Sequence, residues 1–445
     1  MAAVGGKRLT RHHRSPRNYL MCGLGGFPPS ERDALLPTSS SSLSSRPAYR
    51  VHTALIFSIF IGVSLGLLVA VHQDPSSSSE WITAVDRRGK KSNTLLKRSD
   101  TSRSSGSIIR PGSIFHDTDG NPINAHGGGF LFHNNIYYWY GEIKNGATYL
   151  PKANADWFGT RVDLVGISCY SSTDLIRWKY LGNVLPAVTD DTSHDLYITA
   201  VAERPKVVYN SLTNKFVMWL HIDSMDYKKA RSGVATSDSP DGPFTYIQSF
   251  RPNDQMARDL TVFVDYNNNN NNSNQSTTTA AYLITSSEDN AVMHIHELTS
   301  NYTSFTGRWK RIFQDRYMEA PTLFQREGKY YFIGSGCTAW KPNAARSAVS
   351  SSIWGPWTEL GNPCKGNDAN TTFHSQSTYV LPINTNGRGG SSGEERFMFA
   401  ADRWNETNLS DSRYVWLPIE FDTDEHSGES SPIIQWQDEW DVFNA

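Results

Sequence analysis

The chain has 445 residues, a formal net charge of −2 and an aromatic content of 12%. This near-neutral charge gives no electrostatic reason to expect a nucleic-acid or strongly acidic partner. The length exceeds that of one small domain and is sufficient for one large all-β domain with tails. The 13 Trp and 20 Tyr residues are typical of β-rich cores and carbohydrate-binding surfaces.

Two segments near the N-terminus do not have the apolar pattern of a folded core. Residues 1–50 are rich in Ser, Pro and Arg and show no apolar period, which predicts a disordered tail. Residues 73–107 are rich in Ser, Lys and Arg, which predicts a flexible stem.

Residues 51–72, between these segments, are predicted to form a transmembrane signal anchor. The run from Ala54 to Val71 has no charged side chain and is long enough to span a bilayer. A cleaved signal peptide would lie nearer the N-terminus and have a shorter apolar core. Basic residues precede the run and acidic residues follow it directly. The positive-inside rule therefore predicts a single-pass type II protein with a cytosolic tail and a lumenal C-terminal part.

Two further features agree with an oxidising lumen. Six Asn-x-Ser/Thr sequons follow the predicted span and none precedes it; they begin at Asn271, Asn274, Asn301, Asn370, Asn405 and Asn408. Cys337 and Cys364 flank one segment and could form a disulfide, although the sequence does not give the distance between their Cα atoms. Cys169 lies in a strand-like run and is predicted to be a buried thiol.

One pattern recurs five times in residues 108–442. A run rich in Tyr, Phe and Trp, interpreted as the first strand of each repeat, is followed by a partner strand and a turn. These runs are residues 135–142, 215–221, 281–286, 329–334 and 396–401. Repeats of roughly 50–80 residues favour a five-bladed β-propeller over a β-sandwich, which also has many short strands. The Asn-rich run at 267–279 is interpreted as a loop insertion.

Three acidic residues are predicted to open inner strands of the propeller: Glu203, Asp259 and Glu319. Inner strands converge on one funnel, so such residues can face one another although they are far apart in sequence. Pro321 biases Ala320 towards extended geometry, which would fix the direction of Glu319, and partial desolvation there would suit a general acid. Ordinary ion pairs are the alternative, because each acid has an arginine near it in sequence: Arg204, Arg258, and either Arg316 or Arg326.

Two other predicted blade ends carry polar residues at the matching position. Gln376 stands where another carboxylate would be expected. The first blade has the sequence AHGGG at 125–129, and its glycines allow close backbone approach, with a substrate as one possibility. His126 could be a ligand or a hydrogen-bond donor, although a lone histidine is more often structural. The Cys and His spacings indicate no metal site.

Six short motifs, taken together in order and spacing, resemble glycoside hydrolase family 43. They are AHGGG at 125–129, ERPKV at 203–207, ARD at 257–259, MEAP at 318–321, GCTAWKPN at 336–343 and HSQS at 374–377. More narrowly, they resemble the exo-β-1,3-galactanase branch as found in plant Golgi galactosidases. The resemblance covers residues 108–442 and implies a five-bladed propeller in the Golgi that releases galactose from β-1,3-galactan or arabinogalactan glycans. It implies no cofactor and leaves a structural metal in the propeller channel open.

The resemblance also implies catalytic roles. Glu319 matches the general acid of an inverting mechanism, and Asp259 matches the Asp that tunes the pKa of that acid. The Asp base expected in the first blade is absent. Gln376 matches the Gln that holds the attacking water instead. Inversion needs the two groups about 6.5–9.5 Å apart, with the water between the second group and the sugar.

Further matches concern the substrate. Glu203 matches a Glu needed for substrate binding or catalysis, and Tyr227 matches an aromatic contact. His126 and Gly127 lie where the first blade would approach the sugar. The alternatives are an arabinofuranosidase or xylosidase, which the wider family includes, and a glycan-binding propeller that has lost catalysis.

Overall fold

The computed structural model describes residues 107–152, 159–266, 279–383, 395–424 and 428–443, together with three strands nearer the N-terminus. The chain divides into two compact units. One comprises residues 1–25 and 106–445, and the other comprises residues 26–105.

The smaller unit contains a three-stranded antiparallel sheet of β1 (Leu68–Gln73), β2 (Glu80–Val85) and β3 (Lys91–Leu96). Its first strand includes the end of the predicted membrane helix, and its other two strands lie in the predicted flexible stem. β-Branched residues in these sequences favour strand pairing. The predicted tail and the start of the predicted span lie outside the described residues. None of the described helices is both long and apolar enough to cross a membrane.

The larger unit is a five-bladed β-propeller, as predicted. Blade 1 has β5 (His126–His133), β6 (Ile136–Glu142), β7 (Gly166–Ser172) and β8 (Lys179–Pro186). Blade 2 has β9 (Val201–Asn210), β10 (Lys215–Asp223), β11 (Arg231–Ser237) and β12 (Thr245–Phe250). Blade 3 has β13 (Leu260–Asp265), β14 (Ala280–Ser287), β15 (Val292–Leu298) and β16 (Phe305–Ile312). Blade 4 has β17 (Met318–Arg326), β18 (Lys329–Gly336), β19 (Arg346–Ser350) and β20 (Thr358–Gly361).

Blade 5 has β22 (Gln376–Ile383), β23 (Arg396–Arg403), β24 (Arg413–Thr423) and β25 (Ser430–Gln435), and the short β21 (Cys364–Lys365) adds to its edge in parallel with β25. Two further strands, β4 (Ile108–Ile109) and β26 (Trp440–Asp441), pair with each other. Short 3-10 helices span Pro252–Asp254, Ala369–Thr371 and Leu409–Asp411.

The aromatic runs form the second strand of each blade and not the first, which corrects the sequence interpretation. Second strands lie between neighbouring blades and are buried on both faces, so they have near-continuous apolar sequences; in β10 every residue after the first is buried. The innermost strands β5, β9, β13, β17 and β22 contact one another in a closed ring. These innermost strands line the channel, and they therefore carry the polar residues of the site.

Five apolar clusters fill the interfaces between neighbouring blades. Between blades 5 and 1, Trp416 packs on Trp139 with ring centroids 4.7 Å apart and on Phe130 at 5.2 Å. Such tilted and edge-to-face contacts are favourable beyond simple burial. They account for much of the aromatic content.

The two ends of the domain meet beside blade 5. β26 pairs Trp440 with Ile109 in β4, and the indole of Trp440 donates to the carbonyl of Trp416 at 2.8 Å. The hydroxyl of Tyr414 in β24 donates to the carbonyl of Ile123 at 3.0 Å and accepts from Ala125 N at 2.8 Å. These contacts hold the start of blade 1 against blade 5 and close the ring.

Candidate active site

Four inner strands have a register shift at the same end of the channel, and the shift in β22 falls between Ser377 and Tyr379. The register shifts after His126 in β5, between Glu203 and Lys206 in β9, and after Glu319 in β17. The residue that follows His126, Glu203 or Glu319 has a positive φ in each case, so the extended geometry predicted for Ala320 is wrong. A bulge re-aims the side chain beside it. The bulges beside Glu203 and Glu319 therefore explain why both side chains point to the same end of the channel.

A pocket at this end of the channel is lined by all five blades. Of the residues predicted from sequence, it brings together Glu203, Tyr227, Asp259, Glu319 and Gln376. The pocket also contains residues that the sequence analysis did not single out: Glu142, Lys144, His221, Asn290, Trp340 and Trp404.

Glu319 is held by blade 3. The side-chain nitrogen of Asn290 donates to Glu319 Oε1 at 2.7 Å. Asp259 Oδ2 accepts from the backbone N–H of Ala320 at 2.9 Å, so this carboxylate fixes the peptide that follows Glu319. Asp259 therefore contacts the residue next to the candidate acid, and its role in tuning the pKa of Glu319 stays a prediction.

The ion pairs considered as the alternative interpretation have different partners. Arg316 pairs with Glu359 and Arg326 with Glu327, both at 2.7 Å. Arg258 donates to the carbonyl of Tyr227 at 2.9 Å. Arg204 pairs with Asp259 of the next blade at 2.8 Å and not with its neighbour in sequence.

Glu203 is surrounded by donors. The hydroxyl of Tyr227 donates to Glu203 Oε1 at 3.0 Å, and His221 Nδ1 lies 3.3 Å from Oε2. Burial alone would raise the pKa of Glu203, but His221, Lys144 and Tyr227 lower this pKa to about 2. Its carboxylate is therefore ionised at neutral pH.

His221 carries the matching positive charge. Its Nε2 lies 2.9 Å from Asp223 Oδ2, and the side chain is 1% exposed. Burial alone would lower the pKa of His221, but the hydrogen bond to Asp223 and the nearby carboxylate of Glu203 raise this pKa to about 10. The imidazolium is thus fixed between two carboxylates.

A second buried ion pair lies next to Glu203. Lys144 Nζ is 2.6 Å from Glu142 Oε2 and 4.0 Å from Glu203 Oε1. The pKa of Glu142 is raised overall, because burial and the negative charge of Glu203 outweigh the opposite effect of Lys144. This side of the pocket is a network of alternating charges that can accept hydrogen bonds from sugar hydroxyls.

The amide of Gln376 is held by three side chains. Its Oε1 accepts from Arg204 Nη2 at 2.7 Å and from Trp404 Nε1 at 3.2 Å. Its Nε2 donates to Ser335 Oγ at 3.1 Å. Gln376 is therefore rigidly placed on the pocket wall.

The first-blade residues lie behind the pocket wall in this structure. His126 is 1% exposed, and its Nδ1 is 2.9 Å from Asp402 Oδ1. Gly127 N donates to Asp402 Oδ2 at 2.7 Å. Neither residue is among those lining the pocket. A direct contact between His126 or Gly127 and the substrate stays a prediction that this geometry does not favour.

The three glycines of this motif make room for protein groups. A Cβ on Gly127 would meet Glu142 Oε1, and one on Gly128 would meet the carbonyl of Tyr140. A Cβ on Gly129 would lie 2.6 Å from Lys206 Cδ. The close backbone approach inferred from the sequence is therefore present, and here it serves Glu142 and Lys206.

Lys206 makes the stability of the fold depend on pH. Its ammonium is buried and donates to the carbonyls of Gly127, Arg204 and Pro205 at 2.9, 3.3 and 3.4 Å. Burial and the charge of Arg204 lower the pKa of Lys206 from 10.5 to about 7. Between these values the unfolded chain binds more protons, so this residue makes stability rise with pH. In Lys206→Met we expect a smaller slope of unfolding free energy against pH in this window, measured by urea denaturation. An unchanged slope would contradict this assignment.

Aromatic side chains close one side of the pocket mouth. Trp340, from the loop between β18 and β19, packs edge-on against Trp404 at 5.4 Å. A Cβ on Gly159, from the loop between β6 and β7, would lie 3.5 Å from the indole nitrogen of Trp340. Loops of blades 1, 4 and 5 therefore meet on this side of the pocket mouth.

One group among the described residues has ligand atoms close enough to hold a metal: Glu203, His221 and Asp259, all within 4.8 Å of one another. Both nitrogens of His221 already face carboxylates, and Asp259 is paired with Arg204. This donor set is neutralised by protein cations and does not fit a metal ion.

No disulfide joins Cys337 to Cys364 in this structure, so the predicted bridge is not observed. Cys364 is fixed by the pairing of β21 with β25 and is buried in the apolar cluster between blades 4 and 5. Cys337 follows β18 and lines a separate surface cavity. Cys169 is buried, as predicted.

The sequons fall on surface positions where they are described. Asn301, Asn370 and Asn408 are exposed, and Asn405 is half-buried. Asn271 and Asn274 lie outside the described residues.

Known proteins with this architecture bear on the site. The sequence profile described as Glycosyl hydrolases family 43 matches residues 139–377. The chain belongs to this family. A family 43 β-1,3-galactosidase in complex with galactodeoxynojirimycin is 39% identical over 75% of this chain and 100% of its own, with a TM-score of 0.63. No curated protein matches the chain significantly.

Two solved exo-β-1,3-galactanases are also similar. The enzyme from Clostridium thermocellum is 37% identical over 75% of this chain and 66% of its own, with a TM-score of 0.60. A variant of the enzyme from Phanerochaete chrysosporium, bound to β-1,3-galactotriose, is 31% identical over 76% of this chain and 68% of its own, with a TM-score of 0.61. Family 43 membership with these neighbours identifies the chain as a glycosidase.

Proposed function

We propose that this chain is an exo-acting β-1,3-galactosidase that releases galactose from β-1,3-galactan chains, such as those of arabinogalactan glycans, with inversion. The observation that carries the proposal is the joint placement of Glu319 and Gln376 in one partly closed pocket with Glu203. The structural neighbours named above are β-1,3-galactosidases and exo-β-1,3-galactanases, which favours this substrate.

In this proposal Glu319 donates its proton to the glycosidic oxygen as the bond to C1 breaks. Asn290 orients the carboxyl group, and Asp259 holds the peptide that follows it. A positioned general acid contributes about 10²–10⁴-fold to the rate. The leaving chain departs with the proton, and water delivers hydroxide to C1 from the opposite face.

Gln376 orients that water. An amide is a weak base, but the water becomes strongly acidic once its oxygen bonds to C1, so its proton is then easily lost to solvent. The ionised Glu203 and the Glu142–Lys144 pair bind hydroxyls of the terminal galactose. Glu203 also stabilises positive charge that develops on the sugar ring in the transition state.

An assay on several substrates tests the proposal. We expect the full chain to release galactose from β-1,3-galacto-oligosaccharides and to leave aryl arabinofuranosides and xylosides largely intact. Hydrolysis of those pentosides in place of galactan would instead support an arabinofuranosidase or xylosidase. Binding of galactan without turnover would support a glycan-binding propeller.

We further propose that the protein is a single-pass type II Golgi membrane glycoprotein whose propeller is lumenal. This rests on the uncharged run at 54–71 with its charge asymmetry, on the sequons that follow it and on the resemblance to plant Golgi enzymes. The exposed Asn301, Asn370 and Asn408 are accessible to glycosylation. Protease protection of the propeller in sealed vesicles, and a mobility shift on removal of N-glycans, test this topology.

A further inference from the structure

Arg204 connects several blades at the base of the pocket. Its guanidinium pairs with Asp259 in blade 3 at 2.8 Å and donates to the carbonyl of Ser377 in blade 5 at 2.9 Å. Its backbone N–H donates to Glu142 Oε1 in blade 1 at 3.0 Å. The residue is buried and has a φ of 54°, a left-handed conformation that is strained for a non-glycine residue. The surrounding contacts hold it there against this strain.

The guanidinium of Arg204 also contacts the amide of Gln376. Arg204 Nη2 and Trp404 Nε1 both donate to Gln376 Oε1. Arginine and tryptophan side chains have no acceptor, so these two partners fix which amide atom is the oxygen. With Nε2 bound to Ser335 Oγ, one N–H of the amide is left for a water or a sugar hydroxyl.

We propose that Arg204 is a positioning residue that sets the orientation of the Gln376 amide, so that the amide presents an N–H to the attacking water. The inference rests on the function proposed above. A water that accepts this hydrogen bond keeps its second lone pair for C1 of the sugar. Without the arginine, the oxygen loses its charged donor and the amide can turn its acceptor towards the water. The water would then be held through its own hydrogen, in the wrong orientation.

A double-mutant cycle separates positioning from a general effect on the fold. The variants are Arg204→Lys, which keeps a cation near Asp259, Gln376→Ala, and the double variant. We expect Arg204→Lys to lower kcat by about 10–100-fold, the effect of losing one hydrogen bond to a charged group, with KM nearly unchanged. In the Gln376→Ala background we expect the same change to cost less than about threefold.

The cycle needs a substrate that the weakened variants still hydrolyse, so aryl β-galactosides with good leaving groups are used. Trp404→Phe keeps the aromatic ring but removes the second donor, and its effect should likewise shrink when Gln376 is absent. The exposed Arg177 in blade 1 gives the matched control Arg177→Lys. If Arg204→Lys lowered kcat by the same factor in both backgrounds, the proposal would be overturned. An effect that does not act through Gln376 is additive with that of Gln376→Ala.

A readout independent of turnover distinguishes failure of this inference from failure of the proposed function. In protein labelled with 15N-glutamine, the Gln376 amide signals are those missing from Gln376→Ala. We expect them to shift in Arg204→Lys and to stay in place in Arg177→Lys. Unshifted signals in Arg204→Lys would refute the positioning role. If the signals shift but the protein hydrolyses no galactoside, the contact between Arg204 and Gln376 is supported and the proposed galactosidase activity is rejected.

Discussion

Replacing Glu319 by Gln is expected to lower kcat on β-1,3-galacto-oligosaccharides by about 10²–10⁴-fold, with little change in KM. The amide keeps the size of the carboxyl group and can still contact Asn290, but it has no proton to give to the glycosidic oxygen. The loss should be smaller on aryl galactosides whose leaving groups need no protonation. Steady-state kinetics on the two substrate types measure this difference.

The chain offers a matched control in the same blade. Glu327 lies in the turn between β17 and β18 with its side chain 66% exposed, so Glu327→Gln should leave both kinetics and melting temperature unchanged. If Glu319→Gln lost equal factors on activated and unactivated substrates, protonation of the leaving group would not be its role. A fully active Glu319→Gln would place the acid elsewhere.

The second large effect is expected for Glu203→Gln, with a loss of about 10²–10³-fold in kcat/KM, the scale seen when one preorganised electrostatic contact to the transition state is removed. The substitution removes a carboxylate that Tyr227 and His221 hold in the pocket. It also leaves the imidazolium of His221 with one carboxylate partner. Tyr227→Phe removes a single hydrogen bond to Glu203 and should have the same direction with a smaller size. Equal kinetics for Glu203→Gln and the parent would contradict the role of this carboxylate.

The same pair fixes a pH window of stability. The pKa of Glu203 falls from 4.5 to about 2 on folding, so its contribution is present above pH 4.5 and is lost as the pH falls towards 2. The pKa of His221 rises from 6.5 to about 10, so its contribution is present below pH 6.5 and is lost as the pH rises towards 10. Both are complete between pH 4.5 and 6.5. Glu203→Gln should therefore be most destabilised, relative to the parent, within that window, as denaturant titrations would show.

The sequence was most informative where backbone phase decides the geometry. Glu203 and Glu319 occupy the same position of two inner strands, each followed by a bulge, so their convergence follows from the propeller itself. The aromatic runs were recognised, but their place as second strands was not. A strand buried between two blades has a stronger apolar signal than one lining a polar channel.

The partners of the site residues could not be read in the same way. Arg204 precedes Asp259 by more than fifty residues and reaches it only because blades 2 and 3 are adjacent in the ring. His221 and Asp223 lie at the end of an apolar strand, and buried polar residues in such a run were the one available signal. Whether Cys337 and Cys364 can pair depends likewise on the distance between two separate loops, which the sequence does not give.

The stereochemistry of the first product tests the central claim most directly. We would follow hydrolysis of a β-1,3-galacto-oligosaccharide by the full chain with 1H NMR, alongside Glu319→Gln. Initial appearance of α-galactose from the parent chain, with mutarotation to the β-anomer only later, is the predicted result. Initial release of β-galactose would show retention and contradict the inverting arrangement of Glu319 and a water held by Gln376. Internal cleavage to larger oligosaccharides without free galactose would contradict exo action.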